Sequence, residues 1–314
     1  MELSLALAQQ ILSMVLICCV GYILARFNIV SPDQSYILSR VAVYALTPCT
    51  IMQSFQSELN HDQLSGLALA FICATVIHLV AIPIMHLLGK AGITSEEKAS
   101  AVYSNAGNFG IPLISGIASL GAGYVFYMSA FFATQNALLW SHGVTLMSGS
   151  AKVDVKKILK NPCMISIAVG LFFFFTQITL PGPIATTVSN LAACLGPICM
   201  LVIGLSLGGQ DLKSVFSNKR VYGVAALRLL ILPAVIMIPF YLLAQVWAHP
   251  DIENIIIVMF ICALGPAAST VVQLSQIYQS KHIPYVSAIN VVSTLLCAVT
   301  MPIMVFIFQF FLHM

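Results

Sequence analysis

Residues 104–112 read Ser-Asn-Ala-Gly-Asn-Phe-Gly-Ile-Pro, and they interrupt an apolar stretch predicted to be helical over 98–119. Two amides, two glycines and a proline within nine residues make a poor continuous helix. Glycine costs about 1 kcal/mol relative to alanine, and proline removes a backbone hydrogen bond. A second apolar stretch, 254–277, is interrupted where residues 264–270 read Leu-Gly-Pro-Ala-Ala-Ser-Thr. The sequence therefore predicts two helices that break near their centres.

The composition around these segments indicates a membrane protein. Of 314 residues, 60% are hydrophobic and 7% are charged, whereas a soluble domain carries about 25% charged residues. This excludes a soluble globular enzyme, and the high hydrophobicity excludes a disordered chain. The apolar runs reach 18 residues and more, which favours helices over a β-barrel. The first run, 3–25, has no basic region before it and is long enough to be a membrane span rather than a cleaved signal.

The apolar runs predict ten membrane spans, numbered here from one to ten. They lie near 4–26, 37–55, 64–88, 98–119, 122–147, 162–180, 186–208, 221–246, 254–277 and 285–311. At a rise of 1.5 Å per residue they average about 30 Å or more, enough to cross a bilayer with some tilt. The two stretches that break are spans four and nine.

The basic residues predict the orientation of these spans. With the N-terminus outside, the external loops contain acidic residues but no lysine or arginine. The cytoplasmic loops then hold twelve of the thirteen basic residues, which are Arg26, Arg40, Lys90, Lys98, Lys152, Lys156, Lys157, Lys160, Lys213, Lys219, Arg220 and Lys281. The positive-inside rule is satisfied at every loop, so both termini are expected outside the cytoplasm.

An internal repeat relates the two halves of the chain. Gly21 and Gly170 are 149 residues apart, and Leu46-x-Pro48 recurs as Leu195-x-Pro197 at the same offset. At an offset of 150, Pro83 corresponds to Pro233 and His78 to Arg228. Each half has an odd number of spans, so the halves must be inverted, an architecture of secondary transporters. The predicted domains are repeat 1–147, cytoplasmic linker 148–161 and repeat 162–314.

The broken spans supply candidate binding groups. The second half of each broken helix begins with free N–H groups and a positive dipole end, which suits an anion. The first half ends in free carbonyls, which suit a cation or a proton donor. The side chains that could add donors and acceptors are Asn105, Asn108, Ser269, Thr270 and Gln273. The alternative is two kinked helices whose amides satisfy freed backbone groups, but matching positions in both halves favour a binding site.

Arg228 is the one fixed charge in the interior of a span, because the other basic residues lie at span ends or in loops. It lies eight residues beyond Arg220, roughly 12 Å along a helix, so its side chain could reach the cytoplasmic interface. Anion attraction or gating is the open alternative, and His78 is its counterpart in the first half. As alternatives to a proton relay, His78, His86 and His142 are each predicted to be hydrogen-bonded packing residues. No Asp or Glu lies within the spans, and no metal or cofactor motif is present.

Residues 204–208 read Gly-Leu-Ser-Leu-Gly, which fits the hydrolase pattern G-x-S-x-G. That motif functions on a strand-turn-helix elbow, whereas here it ends an apolar helix. We therefore interpret it as a small-residue packing face, and the sequence does not predict an enzyme.

Four motifs resemble the auxin efflux carrier family, which includes bacterial permeases and plant auxin carriers. They are Ser-Pro-Asp-Gln at 31–34, Leu-Thr-Pro at 46–48, Asn-Ala-Gly-Asn-Phe-Gly-Ile-Pro-Leu at 105–113, and Gly-Pro at 265–266. The family belongs to the bile acid/sodium symporter-like superfamily, and the resemblance covers the whole chain. Ser104 stands where the plant carriers have a proline, and the chain's own proline comes later, at Pro112.

The resemblance implies a fold in which spans four and nine cross as an X at the membrane midplane. Spans one, two, six and seven would form a scaffold, which could also form a homodimer. Spans three to five and eight to ten would move as an elevator. The expected substrate-binding residues are Asn105, Gly107, Asn108, Gly110, Pro112, Gly265, Pro266, Ser269, Thr270 and Gln273. The acidic residue that helps to bind sodium in the bile-acid branch has no match near Pro266.

The sequence thus predicts an all-α permease of a bacterial inner membrane that carries a small organic anion such as a carboxylate. Its expected partners are this substrate and membrane lipid, with no cofactor, metal or nucleic acid. The alternative is a membrane sensor that binds a ligand without net transport. An intramembrane enzyme is disfavoured because no nucleophile–base set lies in the spans.

Overall fold

A computed structural model describes residues 2–90, 92–117, 120–149, 156 and 159–313. Most of the predicted linker 148–161 lies outside these residues, and so do two of its lysines, Lys152 and Lys157. The placement of the boundary between the two predicted repeats therefore stays a prediction.

The first half of the chain contains helices α1 to α6. Helix α1 is Glu2–Arg26, and α2 comprises Ser35–Val41, Ala42–Leu46 and Thr47–Ser54. Helix α3 is His61–Gly89, and α4 is Ser95–Val102. Helix α5 comprises Ala106–Gly110 and Ile111–Ser115, and α6 comprises Val125–Leu138, Leu139–Gly143 and Val144–Ser148.

The second half contains helices α7 to α13. Helix α7 is Pro162–Thr176, α8 is Gly182–Gly208, and α9 is the short helix Leu212–Ser217. Helix α10 comprises Lys219–Ala226, Leu227–Ile231 and Leu232–Val246. Helices α11, α12 and α13 are Ile252–Leu264, Ser269–Ile277 and Ile283–Leu312.

Three of these helices contain a widened, π-helical turn just before a proline. A proline ring clashes with the preceding turn and cannot donate to it, and a wider turn relieves both problems. The turns are Ala42–Leu46 before Pro48, Ala106–Gly110 before Pro112, and Leu227–Ile231 before Pro233. The third turn carries Arg228.

Over the described residues the fold is all-α, and its one β-type contact is an isolated bridge between Ser104 and Ala267. Five helices are long and apolar enough to cross a membrane. They are Leu5–Arg26, His61–Gly89, Gly182–Gly208, Lys219–Val246 and Ile283–Leu312. This agrees with the expected helical membrane protein. The count of ten crossings, their orientation and the inverted repeat stay predictions.

Helices α1, α2, α7 and α8 pack together, and the most extensive contact is between α1 and α8. A Cβ atom added to Gly21 would collide with the α8 backbone, and one added to Gly204 would collide with the α1 backbone. One added to Gly208 would collide with Ala25. The interpretation of G-x-S-x-G as a packing face is therefore confirmed.

A second group of helices surrounds α11. Helix α11 packs against α3, α6, α10 and α13, and each side chain from Ile255 to Leu264 is at most 1% exposed. A helix that is apolar all round must lie inside a bundle. The buried helix α11 leads directly to the second predicted break, so the break lies inside the protein.

Candidate functional site

The helical backbone is interrupted at the two segments where the sequence predicts a break. Residues 103–105 separate α4 from α5, and residues 265–268 separate α11 from α12. The two non-helical segments lie side by side and pair through the antiparallel bridge between Ser104 and Ala267. The two broken helices are therefore joined at their breaks.

Two backbone hydrogen bonds hold this pairing. The Asn105 N–H donates to the Pro266 carbonyl over 2.8 Å, and the Ala268 N–H donates to the Tyr103 carbonyl over 2.9 Å. Pro266 has no N–H to donate, so its carbonyl is the group through which it can pair. Unpaired backbone groups at membrane depth would cost several kcal/mol each, and the pairing removes part of that cost.

Side chains from α6 and α13 form hydrogen bonds with the backbone N–H and carbonyl of one residue in each break. Gln135 accepts from the Ser104 N–H and donates to the Ser104 carbonyl, both over 2.9 Å. On the other break, Asn290 donates to the Ala267 carbonyl over 2.6 Å, and Ser293 accepts from the Ala267 N–H over 3.1 Å. Sequence reasoning missed all three side chains. The available signal was that Gln135, Asn290 and Ser293 are polar residues within predicted apolar spans.

Arg228 binds the carbonyls that end the first half of each broken helix. Its Nη1 donates to the carbonyls of Ala101 and Val102 over 3.0 and 3.3 Å. Its Nη2 donates to Ala263 over 2.8 Å, and its Nε donates to Gly265 over 2.9 Å. We call these four carbonyls the carbonyl side. Arg228 is only 2% exposed, so it does not extend to the membrane interface.

His78 lies near the first break but does not reach the carbonyl side. Its Nδ1 is 2.8 Å from the carbonyl of Ala74 on its own helix. Its ring packs beside those of Tyr103 and Phe131, with centroids 6.3 and 5.5 Å away. Its Nε2 is buried and has no partner among the described residues. The two positions related by the predicted repeat, 78 and 228, therefore differ in what they contact.

Two further histidines are hydrogen-bonded to each other, as predicted for packing residues. The Nε2 atoms of His86 and His142 are 2.9 Å apart, and His142 Nδ1 is 2.8 Å from the Tyr103 hydroxyl. No group of three or more His, Cys, Asp or Glu side chains that could hold a metal ion occurs in the part of the chain that the structure describes.

The predicted substrate-binding residues divide into two sets by exposure. Gly107, Asn108, Ser269 and Thr270 are partly exposed, and Gln273 is exposed. The other five are buried, namely Asn105, Gly110, Pro112, Gly265 and Pro266. The first set can meet a ligand directly, whereas the second shapes the breaks and the packing around them.

The partly exposed set forms one polar surface with a neighbouring open space. Asn108 Nδ2 donates to Ser269 Oγ in a long hydrogen bond of 3.4 Å, and the Cys199 thiol of α8 is 3.8 Å from Asn108 Oδ1. A Cβ atom added to Gly107 would meet nothing within 4 Å. We call this surface, formed by Gly107, Asn108, Ser269 and Thr270, the amide side.

The amide side has the electrostatics of an anion site. Helices α5 and α12 both begin here, and the first N–H groups of a helix have no acceptor within it and carry a partial positive charge. Ser104 Oγ is buried at the same junction and has no partner among the described residues. Backbone and side-chain donors are thus available to a negatively charged group.

A polar cluster joins three helices at the end of α4 remote from the break. Glu97 has no exposed side-chain area, and it accepts hydrogen bonds from Arg220 Nη2 over 2.8 Å and the Tyr285 hydroxyl over 2.5 Å. Burial alone would raise the pKa of Glu97, but the hydrogen bonds from Arg220, Tyr285 and the Thr94 N–H lower it to about 2. The sequence predicted Arg220 only as a marker of topology.

Comparison with known proteins gives a consistent result. The model of the family described as "Membrane transport protein" matches residues 6–156 and 146–305. The chain is 24% identical over 220 residues to an uncharacterized transporter of Methanocaldococcus jannaschii, covering 65% of this chain and 70% of the relative. It is 25% identical over 236 residues to one of Methanothermobacter thermautotrophicus, covering 72% and 75%. A transporter of Schizosaccharomyces pombe is 23% identical over 158 residues, covering 43% and 35%.

Proposed function

This chain belongs to the membrane transport protein family, the auxin efflux carrier family recognised in its sequence, and from that premise we propose that it is a secondary transporter of a small organic anion. Family membership and several long apolar helices make it an integral multi-pass membrane protein. The transporter names of its relatives indicate transport rather than catalysis. The substrate class we favour is a carboxylate.

The observation that carries the proposal is the open amide side. Two helices begin at one point inside the protein, and Asn108 and Ser269 lie in hydrogen-bond contact beside them. A carboxylate here would accept hydrogen bonds from the helix N-termini, and the amide and hydroxyl groups would hold its other polar atoms. The space next to Gly107 gives it room.

The proposed topology has ten spans in two inverted five-helix repeats, with spans four and nine crossing at the midplane. Both termini lie outside the cytoplasm of a bacterial inner membrane. Two observations support this topology: the distribution of basic residues among the loops, and the similar hydrogen bonding of the two breaks. Each break is held by an amide from the span that follows it, Gln135 in one half and Asn290 in the other.

The proposed mechanism is alternating access of the elevator type. Helices α1, α2, α7 and α8 would be the static scaffold and the site of a homodimer contact, and the helices around α11 would move. The packing supports this division, because the substrate site borders the scaffold at α8. There Pro112 lies beside Gly196, and Cys199 faces Asn108. Small residues at this boundary would let one surface slide past the other.

Transport of labelled carboxylates in proteoliposomes tests the proposal. The wild type should move at least one mono- or dicarboxylate, and the double variant Asn105→Ala, Asn108→Ala should lose most of that flux. Asn190→Ala is the matched control, because this amide lies exposed on α8, and it should transport like the wild type. Wild-type flux through the double variant would exclude the amide side as the substrate site.

The same preparation separates transport from ligand sensing. A sensor built on this fold would bind a carboxylate, seen as a rise in the temperature of unfolding, without moving it across the liposome membrane. Binding together with flux supports the transporter, and binding without flux would support the sensor.

A further inference from the structure

The carbonyl side of the crossing is a cation site by its chemistry. The last carbonyls of a helix lack intrahelical partners and carry a partial negative charge. Here two helices, α4 and α11, end together, and four of their carbonyls converge on one guanidinium. In transporters with discontinuous helices, such half-helix carbonyl ends coordinate sodium ions or protons.

The cation in this position is part of the chain. An arginine guanidinium stays protonated in proteins, and its planar fork can serve several acceptors at once. Among the described residues, Arg228 forms no ion pair with a carboxylate. The helix ends themselves therefore supply its counter-charge.

The corresponding position in the other half carries no such cation. His78, at the repeat offset from Arg228, bonds to its own helix through Nδ1 and does not bind either helix end. One cation thus serves both helix ends, and it comes from the second half only.

We propose that Arg228 permanently fills the cation site of the crossing, so that the protein moves its substrate without sodium. Sodium-independent transport rests on the proposed function. The occupation of the cation site by Arg228 can be tested without measuring transport. Deleting the side chain would leave a buried cavity lined by four carbonyls, and a sodium ion could then enter it.

Thermal unfolding of the purified full-length protein in sodium chloride and in choline chloride of equal concentration tests the filled site. The wild type should unfold at the same temperature in both salts. Arg228→Ala should unfold at a lower temperature in choline and recover about 3 °C in sodium, the rise expected for a ligand present well above its dissociation constant. Arg228→Lys keeps a cation in place and should show no sodium effect.

His78→Ala is the matched control at the related position, and it should behave alike in both salts. A sodium-specific stabilisation of the wild type would overturn the proposal, and so would equal unfolding temperatures of Arg228→Ala in sodium and choline. If Arg228→Ala does not fold, Arg228→Gln takes its place with the same expectations.

The consequence for transport is measured separately. Wild-type carboxylate flux in proteoliposomes should be the same with sodium and with choline outside, and a tenfold fall in choline would overturn the proposal. If no carboxylate is transported in either salt, the proposed function fails while the unfolding experiment still decides whether Arg228 fills a cation site.

Discussion

The two sides of the paired helix breaks differ in what occupies them. On the carbonyl side, Arg228 bonds four helix-end carbonyls and is 2% exposed. On the amide side, Asn108 and Ser269 are partly exposed, and the space next to Gly107 is open. The same backbone interruption thus creates negative helix ends that bind Arg228 and positive helix ends beside an open space.

The largest expected effect comes from disrupting the pairing that both sides share. Gln135→Leu removes two hydrogen bonds from the buried Ser104 backbone, and each unsatisfied group costs about 1–3 kcal/mol. The variant should lose about 4 kcal/mol of unfolding free energy, measured by thermal or denaturant unfolding in detergent.

Thr134→Val is the control for Gln135→Leu, because the Thr134 hydroxyl donates to the carbonyl of Ala130 on its own helix. It should change stability by less than about 1 kcal/mol. A Gln135→Leu protein as stable as the wild type would mean that the breaks do not need this side chain.

The next effect should fall on the amide side alone. A Cβ atom at Gly107 would meet nothing within 4 Å, so Gly107→Leu should extend into the open space. Carboxylate flux should fall about 100-fold, equivalent to roughly 2.7 kcal/mol, while the unfolding temperature is unchanged or higher. Gly223→Leu is the control, since this glycine is also open but lies on the exposed face of α10. Normal flux in Gly107→Leu would place the substrate elsewhere.

A smaller effect concerns the anchoring of α4 at the end remote from the carbonyl side. Glu97→Gln replaces a buried carboxylate bonded to Arg220 and Tyr285, and it should lose about 2 kcal/mol of stability at neutral pH. The pKa of Glu97 is lowered from 4.5 to about 2. The contribution of this carboxylate to the free energy of unfolding is therefore present above pH 4.5 and is lost as the pH falls towards 2.

Unfolding temperatures between pH 6 and pH 3 check this sign. The wild type should lose more stability on acidification than Glu97→Gln does. The control is Glu58→Gln, a change at an exposed glutamate, and it should follow the wild type. Parallel pH curves for the wild type and Glu97→Gln would rule out the buried charge as the cause.

The smallest effect tests one donor of the amide side. Ser269→Ala removes the hydroxyl beside Asn108 and should raise the KM for the carboxylate about three- to tenfold, or roughly 1 kcal/mol, with little change in stability. Ser13→Ala, on the exposed face of α1, should leave KM unchanged. An unchanged KM in Ser269→Ala would remove this hydroxyl from the site.

The two helix breaks could be predicted from the sequence, because their causes are local. Pro266 cannot donate a hydrogen bond, and the glycines and amides of 104–112 lower the stability of a helix. The length and composition of the apolar runs predicted an all-helical membrane protein, and the motifs of 105–113 identified the family. These features need no knowledge of which helices touch.

The contacts that complete the site depend on which helices pack together and how they are aligned. A single sequence does not specify this packing. Arg228 binds carbonyls as far as 127 residues away in the chain. The sequence suggested that its side chain reaches the membrane interface or attracts an anion, and neither interpretation included these carbonyls. Gln135 and Asn290 could be noticed as polar residues in apolar helices, but not assigned to the breaks. The Glu97 cluster joins helices whose packing no local pattern specifies.

A structure of the protein with a transported carboxylate bound would show which side of the breaks holds the substrate. We expect the carboxylate at the N-termini of α5 and α12, within hydrogen-bond distance of Asn108 and Ser269. Arg228 would remain on the same four carbonyls. A carboxylate paired with the Arg228 guanidinium, released from the helix ends, would contradict this expectation.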